Sequence, residues 1–175
     1  MNRVNVIGTS SSGKTTLAIG LAERLGVPYI ELDALHWEPN WTEAPNAVMR
    51  ERVRSAIDGE AWVVDGNYSA VRDLVWGRAD TVVWLDLPLP TILARYARRT
   101  VRRLTTRQEL WSGNRERLGF LLGRDSLLQW ILGTYRRRRR EYPALLAARP
   151  QITAIRLRSA REARNWLATF QGRTA

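Results

Sequence analysis

Residues 8–16 read GTSSSGKTT, and Gly8-Thr9-Ser10-Ser11-Ser12-Gly13-Lys14-Thr15 has the spacing G-x-x-x-x-G-K-[ST]. Backbone N–H groups of such a loop curl around a phosphate, and its glycines permit dihedrals that side chains resist. A helix starting near Lys14 adds the positive end of its dipole. The Lys14 ammonium can reach β- and γ-phosphates, and the Thr15 hydroxyl can complete a magnesium shell. Thr16 closes the small polar run. The loop predicts a nucleoside triphosphate, ATP or GTP, bound with Mg2+, with ATP the expected donor.

Something must hold that loop in place. Short apolar runs ending in Gly or Asp occur at 3–8 (RVNVIG), 28–33 (PYIELD), 61–66 (AWVVDG) and 81–86 (TVVWLD), with a fifth run at 152–157 (ITAIRL). Helical spacing is expected over Thr15–Leu25, about Glu43–Ile57, Pro90–Leu104 and Ser159–Phe170. This alternation predicts an α/β fold: a five-stranded parallel sheet with helices on both faces. Ligands of such sheets sit beyond the carboxyl ends of the strands, where Gly8, Asp33, Asp65 and Asp86 would stand. Asp65 is the expected magnesium partner of Thr15, with Asp86 the runner-up because it also ends an apolar strand.

The bulk composition removes several alternatives. With 175 residues, no cysteine and a single histidine, the chain is expected to form one domain without disulfides or a multi-histidine zinc site. No apolar run approaches the ~18 residues of a membrane span. The start of the chain lacks a signal-peptide pattern, so a cytoplasmic location is the expectation. The formal charge is +11, and residues 91–140 account for it: 14 arginines stand there against Glu109, Glu116 and Asp125. Lys14 is the sole lysine among 28 basic residues, which leaves none for the base-specifying N-K-x-D element of a GTPase.

Beyond the loop, WVVDGNY (62–68), with its Asp65-Gly66 pair, and ADTVVWLDLPLPTILARYARR (79–99) resemble the adenylate kinase-like group of P-loop phosphotransferases. Within that group, ELDALHW, VDGNYS and the stretch Arg115–Tyr142 are most similar to bacterial proteins described as DNA topology modulation or adenylate kinase-related. The resemblance implies ATP-dependent phosphoryl transfer, with Arg95 and Arg99 where the group carries its phosphate-directed arginines. It also implies a core over 1–104 and 151–175 and an arginine-rich helical lid over 105–150. Such arginines neutralise charge on the moving phosphoryl group. On the helix after Pro90, Arg95, Arg98, Arg99, Arg102 and Arg103 share one arc, and Leu93, Ala97, Val101 and Leu104 are expected to form the packed face. Arg107, Arg115 and Arg117 fall in the lid. A helix spreads Arg136–Arg140 around its circumference, so at least two of them should face solvent.

The chain departs from adenylate kinases where the acceptor binds. Their Asp-Gly-Phe-Pro-Arg is replaced by Asp65-Gly66-Asn67-Tyr68-Ser69, with no arginine before Arg72. Asp33-Ala34-Leu35-His36-Trp37 stands where a threonine and an arginine are expected. A carboxylate at Asp33 suits a hydroxyl better than a phosphate, because it can accept the alcohol proton. The expected acceptor is therefore a small molecule, a nucleoside, nucleotide or similar, touched by Asp33, His36, Trp37, Asn67, Tyr68 and Arg72. Trp37 and Trp41 could form an aromatic wall. A competing reading makes the basic 91–140 segment a DNA or RNA surface of a nucleic-acid-associated NTPase. Against it, no helix-turn-helix, zinc or strand-stacking motif is visible. Nothing in the sequence specifies an oligomeric state.

Overall fold

The computed structural model describes residues 1–106, 109–114 and 127–170. In chain order these form β1 (Arg3–Gly8), α1 (Lys14–Leu25), β2 (Tyr29–Glu31), α2 (Leu32–His36), β3 (Trp37–Glu38), β4 (Thr42–Glu43), α3 (Asn46–Ala56) and β5 (Trp62–Asp65). There follow α4 (Arg72–Arg78), β6 (Thr81–Leu85), α5 (Leu89–Thr106), α6 (Leu127–Ala147), β7 (Thr153–Leu157) and α7 (Ala160–Thr169). The main sheet is parallel throughout, in the order β2-β5-β1-β6-β7, and β3 and β4 form a separate antiparallel hairpin. This is the five-stranded parallel sheet that the apolar runs predicted.

The strands are apolar on both sides because both sides are covered. Ile7, Trp62, Val64, Val82 and Trp84 pack with Met49, Val53 and Trp76 of α3 and α4. Their alternates Val4, Val6, Val63, Val83 and Leu85 meet Leu17 and Leu21 of α1, with Trp166 and Leu167 of α7 beyond. Asn5 interrupts this pattern without leaving its amide unpaired. Its Nδ2 donates to the carbonyls of Val64 and Gly66, and its Oδ1 accepts from the Trp76 indole at 2.8 Å.

Two expectations change here. The packed seam of α5 is Ile92, Tyr96 and Thr100, and Val101 is 61% exposed. Leu93 packs only partly and Ala97 faces solvent, so the expected face of Leu93, Ala97, Val101 and Leu104 is displaced. The reason is tertiary: Ile131 and Tyr135 of α6 lie against Leu87, Ile92 and Tyr96, and the larger side chains take the contact. The observed seam is only about 60° around the helix from the Arg95–Arg99–Arg103 ridge. Those three arginines are therefore half-buried at its border rather than opposite it.

The second change concerns the expected lid. Tyr142 of α6 is 1% exposed inside the main core, its ring 5.4 Å from that of Trp84. One face of the C-terminal half of α6, Tyr142 with Leu145 and Leu146, thus packs on the main core within the span expected as lid. Arg107, Arg115 and Arg117 lie outside the described residues.

Candidate active site

The loop between β1 and α1 is shaped by two glycines. Gly8 has φ +156°, and a Cβ there would come within 2.8 Å of both the Leu85 carbonyl and Ser12 Oγ. Gly13 has φ +97°, and a Cβ there would meet the Arg95 guanidinium at 2.9 Å. The chain therefore has to carry glycine at both positions. Ser12 N donates to the Thr9 carbonyl at 3.0 Å, closing the loop, and Lys14 Nζ reaches the same carbonyl at 3.5 Å. The hydroxyls of Ser11 and Ser12 are buried without a protein partner. The first N–H groups of α1 have no partner within their own helix and project into the cradle.

Two arginines border the loop. Arg95 donates to the Ser12 carbonyl from α5, and Arg138 Nη1 donates to the Gly8 carbonyl from α6 at 3.3 Å. Arg99 lies one turn beyond Arg95 on the same ridge. In the run Arg136–Arg140, only Arg138 is half-buried and the other four are exposed, as a helical spread requires.

Thr15 and Asp65 meet at the mouth of the loop. Thr15 Oγ1 donates to Asp65 Oδ2 at 2.6 Å, and the Tyr29 hydroxyl approaches the same oxygen at 3.3 Å. Asp65 is 4% exposed, and its Oδ1 has no partner. Burial holds its carboxyl above the usual range, although the charge of Lys14 and the Thr15 hydrogen bond pull the other way. The Thr15 hydroxyl and the Asp65 carboxylate, whose Oδ1 has no protein partner, are hard oxygen donors that fit Mg2+. Asp86 is differently placed. It ion-pairs with Arg139 at 2.9 Å and Arg156 at 2.5 Å, and Arg156 also lies 4.3 Å from the centre of the Trp84 ring. Asp86 ties β6 to α6 and β7, which removes it as the alternative metal ligand.

The acceptor side is assembled from side chains. Asp33 sits in the first turn of α2, and the Tyr68 hydroxyl donates to its Oδ1 at 2.5 Å. Burial and the Asp33 charge push the Tyr68 phenol far up, so it stays a donor. His36 is buried. Its ring centre lies 4.5 Å from that of Tyr68 and 4.7 Å from that of Trp37, its Nε2 is 3.8 Å from Glu43, and its Nδ1 has no partner. It is packed into the wall rather than open to the site. Trp37 and Trp41 meet edge to face at 5.4 Å, and Trp111 continues the cluster at 6.4 Å from Trp41. Asn67 and Arg72 are joined to each other and to α6. Arg72 Nε donates to Asn67 Oδ1 at 3.1 Å, and Asn67 Nδ2 donates to the Tyr142 hydroxyl at 2.6 Å.

Residues 109–114 fasten this wall. Asn114 accepts from Trp41 N and donates to the Glu38 carbonyl, each at 2.9 Å, while Ser112 Oγ donates to the Trp37 carbonyl at 2.7 Å. Trp111 is thereby placed to hydrogen-bond Glu31. Sequence reasoning did not single out Tyr29, Glu31, Trp111 or Arg138 individually. The spacing of Ile131, Thr134, Tyr135, Arg138 and Tyr142 is a helical stripe that could have found Arg138. Trp111 had no such signal, because its place depends on contacts about 75 residues away in the chain.

No family model matches the chain. Shikimate kinases from Synechococcus elongatus and from a second Synechococcus strain are 29% identical over 140 residues, covering 64% of this chain and 70% of each relative. Among solved structures, shikimate kinase from Acinetobacter baumannii in complex with shikimate superposes with TM-score 0.60 at 17% identity, covering 97% of this chain and 90% of that one. A gluconokinase from Sinorhizobium meliloti gives TM-score 0.55 at 22% identity over 97% and 93%. The phosphate loop and the fold, with the sequence similarity to shikimate kinases, mark the chain as a P-loop kinase, a phosphotransferase. Its similarity to these relatives stops at that class.

Proposed function

We propose that the chain transfers the γ-phosphoryl group of Mg·ATP to a hydroxyl of a small-molecule acceptor seated beside Asp33. The observation that carries this reading is a pair of carboxylates beyond the adjoining strands β2 and β5, Asp65 closing β5 and Asp33 in the first turn of the helix that follows β2. Asp65 is tied to Thr15 at the phosphate loop, and Asp33 is held by Tyr68 on the acceptor side. In the step, the acceptor oxygen bonds to the γ-phosphorus and the bond from that phosphorus to the β,γ-bridging oxygen breaks. The hydroxyl proton passes to Asp33, and ADP leaves. Thr15 and Asp65 would hold Mg2+, which when bound neutralises charge on the phosphate oxygens. Lys14, Arg95, Arg99 and Arg138 supply the remaining positive charge around the loop. The relatives named for shikimate and gluconate support a hydroxyl acceptor. The motif resemblance to adenylate kinase-related topology modulation proteins supports the same chemistry, and membership of that group is part of the proposal.

The test is ADP release from Mg·ATP with pooled nucleosides, nucleotides, sugars and hydroxy acids, with Lys14→Ala as the blank. Stimulation by a pool above the acceptor-free rate is expected. Stimulation by DNA or RNA alone would overturn the proposal in favour of a nucleic-acid-associated NTPase.

A further inference from the structure

We infer that Asn5, buried in the central strand, is a positioning residue that sets the turn at Asp65-Gly66. Through that turn it places both the carboxylate beside Thr15 and the acceptor-side Tyr68. The inference deepens the kinase reading above and rests on it. β1 is the middle strand of the sheet, and its other buried side chains, Val4, Val6 and Ile7, are apolar. Asn5 is 1% exposed among them. A valine would bury there with nothing to satisfy, whereas an amide needs partners for its buried polar atoms. Asn5 Nδ2 donates to the Val64 carbonyl at 3.1 Å and to the Gly66 carbonyl at 2.9 Å, while Oδ1 accepts from the Trp76 indole at 2.8 Å. Two carbonyls on one side and an N–H on the other leave the amide a single orientation. Val64 stands directly opposite Asn5 in the ladder, but Gly66 lies beyond the end of β5. The amide therefore reaches past the strand to hold the residue that begins the turn.

Gly66 is where the donor and acceptor halves touch. It follows Asp65, and its φ of +120° is one that side chains resist. A Cβ there would come within 3.1 Å of Leu32, the residue before Asp33. The Gly66 N–H donates to the Val6 carbonyl at 3.1 Å, so β1 grips this residue twice, through the Val6 backbone and the Asn5 side chain. A glycine has little dihedral preference of its own, so its direction at a strand end has to be imposed by contacts. From this pivot the chain runs back to Asp65, which meets Thr15 at 2.6 Å, and on to Tyr68, which meets Asp33 at 2.5 Å. A shift of Gly66 moves both. Asn5 and Val6 also stand three and two residues before Gly8, so the strand that presents the phosphate loop also sets the carboxylate facing it. Outer partners of this kind typically change metal affinity or activity by about ten- to hundredfold when removed.

The experiment compares Trp76→Phe with Asn5→Leu/Trp76→Phe in the full chain, so that loss of the amide never strands the indole N–H. The first readout is the part of the ATP-induced rise in melting temperature that requires Mg2+, taken as the rise with magnesium less the rise with EDTA. Each variant serves as its own reference, so a general loss of stability cancels. Adding Asn5→Leu should cut this part to about half or less. The second readout is turnover with the pool that stimulates the parent chain, where kcat should fall about tenfold. Asn5→Ser on the same background, whose hydroxyl falls one bond short of the Gly66 carbonyl, should act alike and is the variant to read if the first does not fold. A magnesium-dependent rise or a kcat equal to that of Trp76→Phe, in a folded variant, would overturn the inference and leave the kinase reading standing. Loss of cooperative urea unfolding in both would also overturn it, by making the amide a requirement of the fold alone. If no pool stimulates the parent chain, the kinase reading fails; the magnesium readout needs no acceptor and still decides for or against Asn5.

Discussion

Around Gly8–Thr15 the site is made largely of backbone: loop carbonyls, helix N–H groups, and two glycines whose Cβ atoms would collide with their neighbours. Around Asp33 it is made of side chains borrowed from α2, the β3–β4 hairpin, the Tyr68 turn and residues 109–114. A backbone cradle is bound to one local sequence pattern and accepts what every triphosphate shares. A side-chain chamber can be rebuilt one residue at a time, so it is where members of one fold come to differ in acceptor. The Arg72–Asn67–Tyr142 chain of hydrogen bonds braces the turn after β5 against α6.

The sharpest way to break the comparison is to disable one half alone. Lys14→Ala should lower kcat/KM by ~10³-fold or more with far-UV circular dichroism unchanged; turnover near the parent level would remove the loop from the chemistry. Asp33→Asn should lower acceptor-dependent turnover by ~10²-fold. ATP affinity by calorimetry should stay within about twofold in that variant, whereas a selective loss of ATP binding would move Asp33 to the donor half. Arg95→Ala and Arg99→Ala should each reduce kcat by about tenfold, with a smaller rise in the ATP KM. An unchanged kcat in both would make them loop braces only.

The smallest expected effect lies outside both halves. The Arg50 guanidinium lowers the Asp73 carboxyl to about 2. Its stabilising contribution is therefore present above the ordinary carboxylate range and is lost as pH falls toward 2. Because the pair is exposed, Asp73→Asn should cost no more than ~1 kcal/mol at neutral pH in urea unfolding, and nothing below pH ~2. A larger cost would show that the α3–α4 surface carries more of the fold than its exposure indicates.

Much of the donor half was legible. The loop pattern, the strands over 3–8 and 81–85 and the helix from Lys14 rest on local periodicity and glycine spacing, which do not need distant partners. The acceptor half was legible only in part. Asp33 and Tyr68 could be singled out as residues, but their hydrogen bond joins two chain segments that the sheet brings together. Asn67 and Arg72 were expected to face a ligand; the hydrogen bonds that join Arg72 to Asn67 and Asn67 to Tyr142 could not be read locally, because they need α6 packed beside them. Asp86 was the runner-up to Asp65 as metal ligand, and its partners Arg139 and Arg156 stand about 50 and 70 residues on, beyond any local pattern.

By itself, the sequence determined what short range can encode: a phosphate cradle, a run of buried parallel strands, and a cationic segment from residue 91 to 140. The tertiary structure decided which carboxylate meets Thr15, which of five consecutive arginines reaches the loop, and which tryptophans pack together beside Asp33. Those outcomes depend on helix rotation and strand order. Helix rotation follows the burial of large side chains such as Tyr96, Tyr135 and Tyr142, strand order follows pairing between segments distant in sequence, and no local pattern carries either.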